Sequence, residues 1–210
     1  METLKAIQNR FSAKSFIKKS IKHDDLANIL QAAHRAPNAG NLQSYAFVLV
    51  DQFVLKKRLA KAAHNQAWIA QAPVIVVICS DEMEMGQHYG NKASFYGIQN
   101  CSAAAENVII AATDNNIQSC WIGAFNQEEV SMALKLPRII KPYIMIPLGY
   151  STEEKRENRL PLKQFLHFNE FGTQDVAEGK FPRTSVRAST KKAVKGTVKN
   201  IYKKLKGIKK

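Results

Sequence analysis

Between residues 93 and 114 the chain runs ASFYGIQNCSAAAENVIIAATD, with no proline and no basic residue. Drawn as a helix, it carries Ala, Ile and Val on most faces, and such a helix has to be buried. This stretch therefore demands that other elements wrap around it. A first partner stands just upstream, where Ala72-Pro73 opens the run VIVVICS. Successive apolar positions in a strand point to both faces, so this run reads as a central strand of its sheet.

The remaining elements follow from periodicity. Residues 2–9 read as a short helix with Leu4, Ile7 and Ala6 facing inward, and Leu26, Ile29, Leu30 and Ala33 recur at helical spacing in a second helix capped by Asp24 or Asp25. A strand is expected over 45–51 and a helix with a basic outer face over 52–63. Residues 81–92 (DEMEMGQHYGNK) are polar with two glycines and read as a mobile excursion. Cys120–Phe125 and Tyr143–Tyr150 supply further strands, and 127–136 a small helix ended by Pro137. Helices and strands mix without a regular βαβ rhythm, so the class is α+β.

Charge divides the chain. Residues 174–210 hold 12 Lys+Arg against 2 Asp+Glu, so most of the net charge of +14 sits there and the body is only mildly basic. The chain is thus read as a domain over 1–172, a flexible link over 173–189 and a tail over 190–210. In the tail, Val194, Val198, Ile201, Leu205 and Ile208 alternate with lysines in the pattern of a basic amphipathic helix. It could meet an anionic membrane surface, nucleic acid or the chain's own dimer. Cys79, Cys101 and Cys120 are odd in number, lack CxxC spacing and sit in apolar runs, as buried reduced thiols do. The N-terminal residues contain no apolar stretch of the secretory kind, and a cytoplasmic location is expected. The five histidines show no metal-ligand spacing beyond a loose Glu84/His88 pair, and no GxGxxG, phosphate-loop or serine-elbow motif is present.

Three segments concentrate the chemistry. Arg10-Phe11-Ser12-Ala13-Lys14 places two cations four residues apart with a hydroxyl between, a grouping able to grip a phosphate and a carbonyl. Ala36-Pro37-Asn38-Ala39-Gly40-Asn41-Leu42-Gln43 crowds amides and bare backbone at the mouth of a strand, more than a simple reversal needs. Cys120-Trp121-Ile122-Gly123-Ala124-Phe125 ends an apolar run at small residues, where a flat ring could approach backbone N–H groups.

Taken in order, these segments resemble the FMN-dependent nitroreductase family. R-x-S-x-K looks like its opening motif, residues 36–43 are similar to its A-P-S-A-G-N-x-Q loop, and Ala103–Ala112 resembles its central helix. Trp121–Phe125, Ile146-Pro147-Leu148-Gly149-Tyr150 and the closing Arg159-Leu160-Pro161-Leu162 match later segments, so the resemblance spans about residues 1–168. Three places depart from it: Gln43-Ser44-Tyr45 replaces Q-P-W, Asn116-Ile117-Gln118 replaces G-L-G, and Glu157 stands where many members have a second cation, a role open to Lys155 or Arg156.

The resemblance implies a central, mostly antiparallel sheet flanked by helices, in a homodimer with the flavin at the interface. It implies that Arg10 and Arg159 bind the FMN phosphate, that Ser12 adds a hydroxyl contact, and that Lys14 lies near N1 and the C2 carbonyl. Pro37, Asn38, Ala39, Gly40, Asn41 and Gln43 would line the ring edge, and Ile122, Gly123 and Ala124 would approach N5 and O4. Residues 81–98, with His88, Tyr89, Phe95 and Tyr96, are a candidate wall or lid. NAD(P)H would deliver hydride to the flavin and leave before a nitroaromatic, quinone or similar small acceptor takes its place, in ping-pong order, with no catalytic side chain required. The rival expectation is a non-catalytic flavin- or ligand-binding module tethered by its basic tail to membrane or nucleic acid.

Overall fold

The computed structural model describes residues 2–153, 159–167 and 169–172. The chain divides into two compact units, the first ending at Glu157 and the second beginning at Asn158. In chain order the first unit contains α1 (Thr3–Asn9), α2 (His23–His34), β1 (Tyr45–Val50), α3 (Phe53–Ala62), β2 (Val74–Asp81), α4 (Glu82–Tyr89), α5 (Ala93–Asp114), β3 (Gln118–Ser119), α6 (Gln127–Leu134) and β4 (Ile140–Gly149).

Among the described residues four strands form one antiparallel sheet in the order β1-β2-β4-β3. Strand β2 is central, as its sequence requires. Val74, Val76 and Ile78 face one core with buried residues of α2 and α5, while Ile75, Val77 and Cys79 face a second core with residues of α3 and α6. Each such apolar side chain contributes roughly 1.5–3 kcal/mol when fully buried, so this strand alone anchors both layers. The fold is α+β with helices on both faces of an antiparallel sheet.

Helix α5 spans the residues its composition indicates, but it is not buried all round. Gly97, Cys101, Ala104, Ala105, Val108 and Ala112 form the buried stripe, whereas Phe95 and Ile98 are exposed. Helix α1 reverses part of its expectation: Ala6 is buried but Leu4 and Ile7 face outward, because a seven-residue helix can set only one narrow stripe against its neighbour. Asp24 and Asp25 fall inside the first turn of α2 rather than at its cap, where they still complement the helix dipole.

The expected excursion at 81–92 is instead helix α4 followed by a short 3-10 turn. The Asp81 carboxylate caps α4 by accepting from the N–H groups of Met83 and Glu84, and Met85 is fully buried. One cap and one apolar anchor hold a polar stretch in place. The strand expected over Cys120–Phe125 is reduced to β3 at 118–119 plus a single bridge between Ile122 and Met145. Asn116, at φ 56°, takes the left-handed position that a glycine would otherwise fill, so the turn into β3 closes without G-L-G.

In the second unit the described residues include a 3-10 turn at Leu162–Gln164, and the His167 ring lies 4.3 Å from that of Phe171, centroid to centroid. Lys155, Arg156, Glu157, the link over 173–189 and the tail over 190–210 lie outside the described residues.

Candidate functional site

The N-terminal segment leaves α1 and runs extended beside β3. Ser12 pairs in parallel with Ser119, and the Ala13 N–H donates to the Ser119 carbonyl at 3.0 Å. In extended chain, alternate side chains point to opposite sides. Ala13 is therefore buried, in a small cluster with Phe16 and Ala72, while Ser12 and Lys14 face outward. Arg10 joins that outward row, its Nη1 3.5 Å from the Ser12 hydroxyl.

Cys120 shows how tightly this corner is built. Burial pushes its thiol up, while a hydrogen bond with Ser12 and the charges of Lys14 and Arg10 pull it down. The four residues share one electrostatic neighbourhood. Glu153 joins them, accepting from the Lys14 N–H at 2.9 Å. Ile122 then exchanges both backbone hydrogen bonds with Met145, at 2.9 and 3.0 Å, and beyond it Gly123 and Ala124 lie exposed. A Cβ on Gly123 would meet the Trp121 indole at 3.3 Å, so the indole leans over one side of this backbone while Gly123 and Ala124 themselves stay exposed.

The loop before β1 forms a second cluster. Gly40, Asn41 and Gln43 all hold positive φ, near 61°, 54° and 53°. For asparagine this is tolerable, but for glutamine it stores strain that the surroundings must sustain. Asn38 sustains it by accepting from the Gln43 N–H at 2.9 Å and donating to the Ala36 carbonyl at 3.3 Å. The Gln43 amide is likewise spent, donating to the Asn41 carbonyl at 3.0 Å. Asn38 and Gln43 thus build the loop, and the Asn41 side chain takes no part in these hydrogen bonds. The Tyr89 hydroxyl packs so closely over Gly40 that a Cβ there would stand 2.8 Å from it. The rings of Tyr89, Tyr96 and Phe95 follow one another at 4.6 and 5.3 Å, forming an aromatic wall beside the loop.

Residue Asn100 went unrecognised as a site residue in the sequence, where it stands out only as the start of an Asn-Cys-Ser sequon. It is buried, accepts from the Ala39 N–H at 2.8 Å and donates to the Ser44 hydroxyl at 3.4 Å. Its position on the buried stripe of α5 was the available signal, since a buried amide must find partners.

The two clusters lie on opposite edges of the sheet. The loop feeds β1, whereas Ser12 to Lys14 and Ile122 to Ala124 lie along β3 and its continuation. Tyr45 stands level with Ser80 and hence Lys141, while Ser119 stands level with Leu148. At strand rise and spacing those rungs are separated by roughly 20 Å along the strands and about 14 Å across them. The Ile122 rung, level with Met145, is nearer, roughly 13 Å along the strands, and the two clusters stay apart on opposite edges of the sheet. Arg159 is exposed and belongs to the second unit.

Comparison with known proteins bears on this arrangement. The model of the Nitroreductase family matches residues 7–71 and 52–150, which includes both clusters and ends before Arg159. A protein of Archaeoglobus fulgidus with the provisional name NADH dehydrogenase/NAD(P)H nitroreductase is 32% identical over 158 residues, covering 73% of this chain and 88% of its own. An FMN reductase [NAD(P)H] of Bacillus subtilis is 24% identical over 189 residues, covering 83% and 76%. Among solved structures, a nitroreductase family protein of Clostridium novyi superposes with a TM-score of 0.67 at 28% identity, over 82% of this chain and 96% of that one. The NADPH:FMN oxidoreductase of Vibrio harveyi shares the fold with a TM-score of 0.74 at 23% identity, over 80% and 77%. The chain belongs to the Nitroreductase family and is an oxidoreductase of the NAD(P)H nitroreductase and FMN reductase group.

Proposed function

We propose that this enzyme works as a homodimer with FMN bound across the subunit interface, passing hydride from NAD(P)H to a nitroaromatic, quinone or related small acceptor. The observation that carries the reading is the outward row of Arg10, Ser12 and Lys14 set beside the bare backbone of Gly123 and Ala124. A guanidinium, a hydroxyl and an ammonium suit a phosphate and a carbonyl, and open backbone suits a flat ring. The separation of this row from the 37–43 loop supports the dimer, because a second copy supplies the missing half.

When bound, FMN supplies the hydride acceptance and donation that no side chain here can perform. The chain's own residues do the rest. Arg10 and Ser12, with Arg159 as the sequence resemblance suggests, hold the phosphate. Lys14 would supply a fixed positive charge toward the flavin ring, as the sequence resemblance implies. From the other subunit, Asn41 would offer its side-chain amide to the flavin, and Tyr89, Phe95 and Tyr96 would shield it from water. Cofactor and acceptor are oriented rather than attacked, so the reading assigns no catalytic acid or base.

The test is optical. The purified protein is expected to be yellow and to lose its absorbance near ~450 nm when NADH or NADPH is added under argon. Replacing Arg10 and Lys14 together with alanine removes the pigment while circular dichroism and the oligomeric state stay unchanged. Undiminished colour in that double variant sinks the assignment.

A further inference from the structure

A large groove opens on the α3 face of the molecule, with a volume of about 1120 Å³. Its walls include Phe16, Phe53 and Pro73, together with the small residues Ala60 and Ala70. None of the residues assigned above to the flavin is among its described lining. Lys18, Lys19, Lys57 and Lys61 stand around it, and no Asp or Glu occurs among the described lining residues. Two of these cations are held at the groove by rings: Lys57 lies 4.6 Å from the centroid of Phe53, and Lys19 lies 4.0 Å from that of Tyr150. Like charges gathered with no carboxylate in the described lining repel one another, and an arriving anion relieves that cost.

The groove also contains a fifth lysine of a different kind. Lys56 is buried, its Nζ donating to the carbonyls of Ala72 at 2.6 Å and Pro73 at 3.2 Å. An ammonium has three N–H donors, so these carbonyls orient the charge and leave one donor over. Burial pulls its pKa down, and the Asp51 charge opposes that.

We propose that this groove binds a monomeric amphipathic acid, its apolar body against Phe16, Phe53 and Pro73 and its carboxylate or phosphate among the lysines. The chemistry required is an apolar chain or ring system ending in one anionic group. The chain's own basic tail carries the wrong sign of charge for this seat.

Isothermal titration of the full-length, flavin-loaded protein with dodecanoate and dodecyl phosphate below their micelle concentrations tests it. Dodecanol and dodecyltrimethylammonium serve as neutral and cationic analogues. One saturable site per chain is expected for the two acids, with the analogues at least ~10-fold weaker. The paired substitutions Lys57→Glu and Lys61→Glu lie on exposed positions of α3. They are expected to weaken dodecanoate by ~10-fold or more while flavin content and NADH oxidation are retained. Equal binding of all four compounds, unchanged binding in the paired variant, absence of saturable binding, or competition between dodecanoate and NADH would each overturn the proposal.

Discussion

Asn100 illustrates how one side chain can govern a loop it does not belong to. Its amide is the only link described between the buried stripe of α5 and the backbone of Ala39, and it reaches Ser44 at the loop's other end. Replacing it with leucine leaves the Ala39 N–H and the Ser44 hydroxyl without that partner, at roughly 1–3 kcal/mol for a buried unsatisfied group. The Asn100→Leu variant should therefore unfold at lower urea, and the amides of residues 39–43 should exchange faster with deuterium than in the parent. Unaltered exchange would mean that the loop holds its left-handed residues without help from α5. Asn38 and Gln43 are consumed in keeping positive φ at Gly40, Asn41 and Gln43, while the Asn41 side chain takes no part in that bracing.

At the level of elements, the decisive contact is the crossing of α5 over β2. Gly97 sits on Ser80 there, and a Cβ at Gly97 would come within 2.5 Å of the Ser80 hydroxyl and 3.0 Å of a Glu82 carboxylate oxygen. Alanine favours an isolated helix over glycine by about 1 kcal/mol, but overpacking a close crossing costs typically ~1–3 kcal/mol. The crossing wins because, although the Ser80 hydroxyl has no hydrogen-bond partner among the described residues and can turn aside, the Ser80 Cβ at 3.1 Å is fixed to β2 and Glu82 is held. Glu82 accepts from the hydroxyls of Ser94 and Tyr143, tying α4, α5 and β4 together. Gly97→Ala is expected to lower the urea midpoint, and a variant as stable as the parent would show that α5 can lift off the sheet at no cost.

Over the whole molecule, stability is expected to fail on the alkaline side. Burial pushes the Cys79 thiol from an ordinary 9.0 up to about 12. Burial first, and the neighbouring Glu82 charge, push the Tyr143 hydroxyl from 10.0 up to about 12. Cys101 and Cys120 move in the same direction. All four groups stay neutral in the fold but ionise at lower pH in the unfolded chain. The stability this gives is complete below about pH 9 and disappears as pH rises towards about 12. The urea midpoint should hold level through neutral pH and fall over that window, and a thiol reagent at pH 8 should label the cysteines only after denaturant is added. The central strand, the limits of α5 and the buried thiols were legible in the sequence, since a run apolar on both faces or on most of a helix has few places to go. Helix α4 was not legible, because one Asp81 cap and one buried Met85 outweigh a polar composition only once β2 and α5 are in place. Nor were the outward Leu4 and Ile7, whose direction depends on which side of α1 meets its neighbour. The cation row and the amide loop stood out by residue type and order, whereas their division between two edges of the sheet did not. Local periodicity determines which residues are hidden; the strand order β1-β2-β4-β3 is decided by pairing between distant segments, and that pairing sets the cation row and the amide loop apart.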